Sequence, residues 1–448
     1  MEKNRKVYGF STAVAMVVGI VVGSGIFFKA DNILLATGGN IKTGILVLCI
    51  GALGIIFGSL TLSELAIRTN SSGGFVSYFE KYISKKFGSG FGFFQTFIYL
   101  PSVTAVLAYA TVMFACITFE VNLSYEVKIF LGFILLILIT LLNTYNRKLG
   151  GNIQFISTII KLIPIFAIAI YGLFYKGTYP QVPSQYTLVS PKNIGYKWIA
   201  SLAPIAFSFD GWPIVTTIVP ELKNPKRTMP LVLILSPILI LLSYLLYFLG
   251  IINILGSTYI MSLQDDSVYT AFNIMLGPIG AKFLIFLVTI AIFGVINGVI
   301  LGGIRMPQAL AEKGIAFDES VAKIDEKLQI SKKSALIYFL ISTFWLIAYY
   351  ITSKFQLLGG SDVSEIAIVF SYVTYIVLYL KVMKLYKEGE IKSLFKGIIA
   401  PIFAIIGSLI ILIGGIVASP FYVILYIFVS IFIFYLGYRK IKDEWSFK

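Results

Sequence analysis

Val18-Gly19-Ile20-Val21-Val22-Gly23-Ser24-Gly25-Ile26-Phe27 and, about 185 residues later, Pro204-Ile205-Ala206-Phe207-Ser208-Phe209-Asp210-Gly211-Trp212-Pro213 are apolar stretches interrupted at their centres by helix-breaking residues. Pro213 has no backbone N–H to donate, and its ring crowds the carbonyl of Phe209 four residues earlier. Gly211 weakens the same turn, as Gly23 and Gly25 weaken theirs. Peptide groups left unpaired in the middle of a membrane are tolerated only where protein buries them or a polar cavity receives them. The two stretches therefore predict such a cavity.

The membrane setting follows from the rest of the chain. Of its 448 residues, 58% are hydrophobic and 13% charged, with a mean hydropathy of +0.90. That balance excludes an ordinary soluble globule. Apolar runs of about 20 residues, enough to cross a hydrocarbon core of about 30 Å, recur along the chain. Twelve spans are expected, over residues 8–35, 41–67, 92–118, 127–146, 150–175, 195–221, 228–254, 280–310, 332–352, 362–384, 395–418 and 420–440. The first lacks the cleavage pattern of a signal peptide, so it is expected to remain in the mature protein. No segment between spans is long enough for a soluble domain.

A net charge of +15 raises nucleic acid as a partner, but the charge follows topology. With the N-terminus in the cytoplasm, 26 of the 36 Lys and Arg fall in inner loops and tails, seven in outer loops, and Lys29, Lys161 and Arg305 within spans. The positive-inside rule then places both ends in the cytoplasm of a multi-pass cell-membrane protein. The partners expected are the lipid bilayer and a small solute, with no nucleic acid and no obligate protein partner. Cys49 and Cys116 both lie in apolar spans, and there is no histidine. Neither a disulfide framework nor a metal site is expected. No nucleophilic triad or phosphate loop is visible either, so no catalysis and no cofactor are expected.

Spans 1 and 6 each open a group of five. Five is odd, so the second group lies upside down relative to the first, and the broken helices meet near the bilayer midplane. The expected division is residues 1–194 for the first half, 195–394 for the second, and 395–448 for the last two helices and the C-terminus. Gly23-Ser24-Gly25 alone could equally mark a close helix contact. The matched break containing Asp210 favours the repeat.

The break in span 1 bares N–H groups at the start of the following half-helix, near Ser24, Gly25 and Ile26, and such a terminus attracts an anion. The carbonyls ending the preceding half, around Val21, and those freed between Phe207 and Asp210, including Ser208, suit a cation. Donors and acceptors side by side match the zwitterionic head of an α-amino acid.

These two motifs, with Glu221-Leu222-Lys223-Asn224-Pro225, resemble the amino acid-polyamine-organocation (APC) superfamily, nearest its L-type amino acid transporter branch. Ser72-Gly73-Gly74, Leu100-Pro101-Ser102, and Asn297-Gly298 with Arg305 extend the likeness over roughly residues 8–384. The resemblance implies an all-α membrane protein of the leucine-transporter type, a 5+5 inverted repeat with discontinuous helices 1 and 6 that works by alternating access. It places a substrate carboxylate on the N–H groups at Ser24 and Gly25, following Gly23. The ammonium would lie on the carbonyls of Val21, Phe207 and Asp210, with Phe207 as an aromatic gate.

Asp210 departs from the small residue common in that branch. It could bind a cationic substrate side chain, pair with a lysine, or cap the broken backbone, since an acid within a span is a functional candidate by default. Lys161 lies too deep in span 5 to reach either surface easily, on the order of 16 Å in, and must face the bundle. By the resemblance it stands where sodium-dependent relatives hold a cation, either as a fixed substitute or as a proton carrier. Glu64, Glu221 and Arg305 near the inner span ends are either an ion-pair gate or ordinary interfacial charge. Residues 73–86 read as a short helix along the inner membrane face.

The function expected is secondary active transport of amino acids, independent of sodium, by exchange or proton coupling. A polyamine or organic-cation carrier of the same fold is the first alternative, and a polytopic receptor or channel the second.

Overall fold

The computed structural model describes residues 8–441 except 24, 25, 27, 28, 70–73, 146, 203, 204, 206, 207, 265, 326, 327, 329, 359–361 and 419. Side chains at 147, 148, 197, 200, 217, 220, 365, 366, 417, 418 and 420 are likewise not described. Among the described residues the secondary structure is helical, with one isolated bridge between Tyr8 and Leu222. Ten helices among the described residues are long and apolar enough to cross a membrane, and each overlaps one of the expected spans. The two expected spans outside these ten are 8–35 and 195–221, the pair whose sequences carry the breaks.

The first third of the chain comprises α1 (Phe10–Val21), α2 (Ala30–Ala36), α3 (Ile41–Gly51), α4 (Leu53–Ile67), α5 (Phe75–Tyr82), α6 (Lys85–Phe94) and α7 (Leu100–Thr118). A π turn at Gln95–Tyr99 joins the last two. Then come α8 (Tyr125–Tyr145) and α9 (Arg147–Phe174). Where span 6 is expected, the described residues include two 3-10 segments, Gly195–Ser201 and Trp212–Glu221, with Leu202 and Ile205 α-helical and a turn at 208–211 between them. The chain continues with α10 (Pro225–Leu255), α11 (Ser257–Leu263), α12 (Asp266–Gly303), α13 (Met306–Glu312) and α14 (Glu319–Ala322). Last are α15 (Lys332–Lys354), α16 (Glu365–Lys387), α17 (Ala400–Ala418) and α18 (Pro420–Lys440).

Local chemistry sets several of these limits. α10 begins after Asn224 in the left-handed region, with Pro225 at the first helical position, where its missing N–H costs nothing. It ends at Gly256, φ +77°. Within α12, Gly277 at φ +70°, ψ 179° is not helical, so two helices meet there and the second begins at Pro278, close to the expected start at 280. Inside α9, Pro164 leaves the carbonyl of Ile160 without its helical partner, one turn from Lys161.

The segment expected along the membrane face does form a helix, α5, but its apolar side turns into the bundle. Phe75, Val76, Tyr78 and Phe79 are all buried, and Phe75 meets Trp212 and Tyr375 edge-on. An amphipathic pattern specifies an apolar face and not what covers it. α1 sits at the centre, packed against α9, α10 and α12. α8, α15 and α18 carry many exposed apolar side chains, as helices on a lipid-facing perimeter do.

Candidate functional site

The first broken helix ends where its sequence loses helical character. Val22 leaves the helix at φ −76°, ψ 89°, and its N–H still reaches the Val18 carbonyl. Gly23 N–H turns back to the Val21 carbonyl at 3.0 Å. Ile26 is in a 3-10 turn, and α2 starts at Ala30. In the second stretch Ser208, Phe209 and Asp210 form a turn closed by Gly211 at φ +99°, which admits glycine readily and other residues with strain. A methyl group on Gly211 would also lie 2.7 Å from Ile20 Cγ2, so the two breaks are in contact.

Two side chains from neighbouring helices hold the bared carbonyls. Lys161 of α9, fully buried, donates to Gly19 O at 2.6 Å and Val22 O at 2.9 Å. A helix C-terminus carries partial negative charge, so an ammonium there is electrostatically favoured and takes up carbonyls the helix leaves unpaired. From α10, the Tyr244 hydroxyl lies 3.1 Å from Val21 O and 2.9 Å from Ser208 O. It joins the two broken segments directly.

Tyr244 was not singled out from the sequence. The available signal is a tyrosine facing inward from an otherwise aliphatic span, with Tyr247 one turn on. Val21 O accepts from Gly23 N–H, and the single Tyr244 O–H is shared between Val21 O and Ser208 O. A substrate ammonium at Val21 would have to displace the tyrosine.

Asp210 stands on the opposite side of the break. One carboxylate oxygen accepts the Tyr99 hydroxyl at 2.6 Å, and the π turn at Gln95–Tyr99 sets Tyr99 in place. The other oxygen is buried with no hydrogen-bond partner among the described residues. No lysine pairs with Asp210 among those residues. Beside it the Trp212 indole N–H donates to Tyr372 at 3.2 Å.

Of the other residues expected at the site, Val21 and Ile26 are buried, while Gly23 and Ser208 keep partial exposure. Ser24, Gly25 and Phe207 lie outside the described residues. The carboxylate-binding N–H groups and the aromatic gate therefore stay expectations.

At the end of the bundle bearing the basic excess the two stretches are tied again. Tyr8 N–H bonds Glu221 O at 3.1 Å, and Lys223 N–H bonds Tyr8 O at 2.8 Å. Arg305 grips the Glu221 carboxylate with two nitrogens, Nε to Oε1 at 2.5 Å and Nη2 to Oε2 at 3.1 Å. Both side chains are about nine-tenths buried, at 8% and 7% exposure, so this pair is not ordinary interfacial charge. Glu64 belongs elsewhere: it binds Arg68 and Lys396, each at 2.9 Å, and links α4 to the start of the α17 span.

Fold and centre together define a class: a multi-pass, all-helical membrane protein whose two interrupted helices meet around bared peptide groups. The chain belongs to the amino acid permease family, whose model matches residues 8–438. This agrees with the resemblance to the APC superfamily read from the motifs.

Among similar proteins is the serine/threonine exchanger SteT of Bacillus subtilis, 27% identical over 91% of this chain and 90% of its own length. Another is the b(0,+)-type amino acid transporter 1 of Mus musculus, 22% identical over 99% of this chain and 90% of its own. The large neutral amino acids transporter small subunit 2 of Homo sapiens is 25% identical over 69% of this chain and 58% of its own. Family and relatives are transporters of amino acids, not enzymes.

Proposed function

We propose that the chain is a secondary active amino acid transporter that works by alternating access without sodium. The observation carrying this reading is the Lys161 ammonium on the carbonyls of Gly19 and Val22. A fixed cation at the end of α1 supplies the charge that a dissolved cation would otherwise bring there.

The substrate head group binds between the breaks, its carboxylate on the N–H groups at Ser24 and Gly25. Its ammonium lies toward the carbonyls of Phe207 and Asp210, and toward that of Val21 once the Tyr244 hydroxyl is displaced from it. Transport is driven by exchange or by proton coupling, and the name of the Bacillus relative, a serine/threonine exchanger, supports exchange. The architecture proposed is twelve crossings, counting the interrupted pair. Residues 1–194 and 195–394 are the inverted halves and residues 395–448 the appended helices, with both ends cytoplasmic in the cell membrane. The chain is proposed to work without an obligate partner, although the human relative is named a small subunit.

Counterflow of labelled serine in proteoliposomes holding the purified chain alone tests this. Counterflow unaffected by a sodium gradient is expected. Solute binding that never drives counterflow would favour a receptor or channel. Competition by putrescine or agmatine but not by amino acids would favour a polyamine carrier. Activity appearing only after a second protein is added would end the single-chain reading.

A further inference from the structure

At the end of the bundle that carries the basic excess, away from the interrupted helices, a cleft of about 440 Å³ lies between α4, α5 and α16. Arg68 just past α4, Lys81 and Tyr82 of α5, and Lys381 of α16 line it, with Glu388 and Glu390 beyond the end of α16. α4 and α16 both belong to spanning helices, and these residues sit near their basic ends, where lipid headgroups meet the protein.

Two of the three cations are held before any ligand arrives. Arg68 Nη1 donates to Glu64 O at 2.7 Å and to Glu64 Oε2 at 2.9 Å, and Nη2 donates to Glu390 O at 3.1 Å. A guanidinium has five donors, so two remain for a ligand. Lys81 spends one of its three N–H groups on the Arg68 carbonyl and rests 5.3 Å from the centre of the Tyr82 ring. Lys381 has no ion-pair partner among the described residues. Lysines that merely fray into water must be ordered by whatever they bind. Cations already converged on one cleft take an anion with less loss of side-chain freedom.

The carboxylates nearby do not cancel this charge. Glu64 is shared between Arg68 and Lys396, and Glu388 stands 3.7 Å from Lys384. In and around the cleft, Arg68, Lys81, Lys381, Lys384 and Lys396 face Glu64, Glu388 and Glu390, five cations to three carboxylates. One phosphodiester, with a single negative charge, leaves the group still positive.

The apolar border identifies what carries that anion. Ile67 beside Arg68, and Leu394 and Phe395 beside Lys396, are exposed. Farther along the same two spans, Phe57 of α4 stacks on the exposed Phe403 of α17, with ring centroids 4.9 Å apart. A basic cleft continuous with a hydrocarbon-facing surface fits a charged headgroup with acyl chains attached.

We infer that the cleft is a site for the phosphate of an anionic phospholipid, its acyl chains lying along α4 and α17. The phosphate sits among Arg68, Lys81 and Lys381. It thereby ties α5 to α16, two elements that already meet through Phe75 and Tyr375. Occupancy is read without any transported solute, so the site stands or falls apart from the transport reading.

Native mass spectrometry of the purified full chain, titrated with phosphatidylglycerol or with phosphatidylcholine of the same acyl chains, tests this. A basic residue at a membrane surface is worth about fivefold in affinity for an anionic lipid. The parent should prefer phosphatidylglycerol, and Lys81→Gln with Lys381→Gln should weaken that lipid about 25-fold while leaving phosphatidylcholine unchanged. Lys381→Gln alone, which breaks no ion pair among the described residues, should cost about fivefold and serves if the paired variant fails to fold. Lys226→Gln with Arg227→Gln removes two exposed cations from the same end but outside the cleft, and should keep the preference.

Equal binding of the two lipids by the parent overturns the site. So does a preference that survives loss of the cleft lysines, or one lost equally in Lys226→Gln with Arg227→Gln, which would mark a diffuse field. Displacement of phosphatidylglycerol by an equal concentration of sn-glycerol 3-phosphate would assign the cleft to a soluble phosphate and overturn the lipid.

Discussion

Replacing Glu221 by Gln tests how the basic end of the bundle is held shut. In the parent, Arg305 and Glu221 form a two-point ion pair with both side chains nearly buried. Breaking a buried pair by removing one charge costs about 3–5 kcal/mol, chiefly because the remaining ion stays desolvated. Glutamine keeps one carbonyl oxygen as an acceptor for Arg305, so the lower end applies. About 3 kcal/mol corresponds to roughly a hundredfold shift away from the closed arrangement.

The bridge beside the pair supplies a local reporter. Tyr8 N–H and Lys223 N–H are bonded across the two segments, and both must open if the end opens. Hydrogen exchange at these two amides should therefore accelerate by about the same hundredfold in Glu221→Gln, provided exchange is limited by the opening equilibrium. The double variant Glu221→Met with Arg305→Met removes the stranded charge as well and should recover most of the protection. Unchanged exchange in the single variant, or a double variant as exposed as the single one, would refute the reasoning.

Four further outcomes follow from the same contacts. Lys161→Ala leaves the carbonyls of Gly19 and Val22 without their shared donor, at about 1–3 kcal/mol for each group that water does not reach, so a lower melting temperature and lost counterflow are expected. Tyr244→Phe removes one hydroxyl shared by two carbonyls, and about 0.5–1.5 kcal/mol of stability should go with it. Isothermal titration with serine should also show a changed affinity, because the Val21 carbonyl becomes free to accept from a ligand. Asp210→Asn should weaken competition by ornithine more than competition by serine in the counterflow assay. Equal weakening would place the carboxylate away from the substrate side chain. Gly298→Ala puts a methyl group 2.6 Å from Ile20 and should cost about 1–3 kcal/mol by overpacking, read as a drop in melting temperature.

Among the described residues, ten helices long and apolar enough to cross a membrane were legible as runs of apolar residues, since hydrocarbon demands about 20 of them in a row and tolerates little else. The two interruptions were legible too, because glycine and proline act on the backbone within a turn of themselves, and local steric effects need no partner to be read. Lys161 stood out because a cation that deep must face protein. What it touches was not written there.

Contacts between helices belong to residues distant in the chain, and one apolar periodicity is compatible with several neighbours. So the grip of Tyr244 on both broken segments, the pairing of Tyr99 with Asp210, the separation of Glu64 from the Glu221–Arg305 pair, and the inward turn of α5 came only from the tertiary structure. The glycines show the division best. In sequence Gly19, Gly294 and Gly298 are small residues in apolar helices, and only packing reveals that each clears the space for a polar side chain on α9.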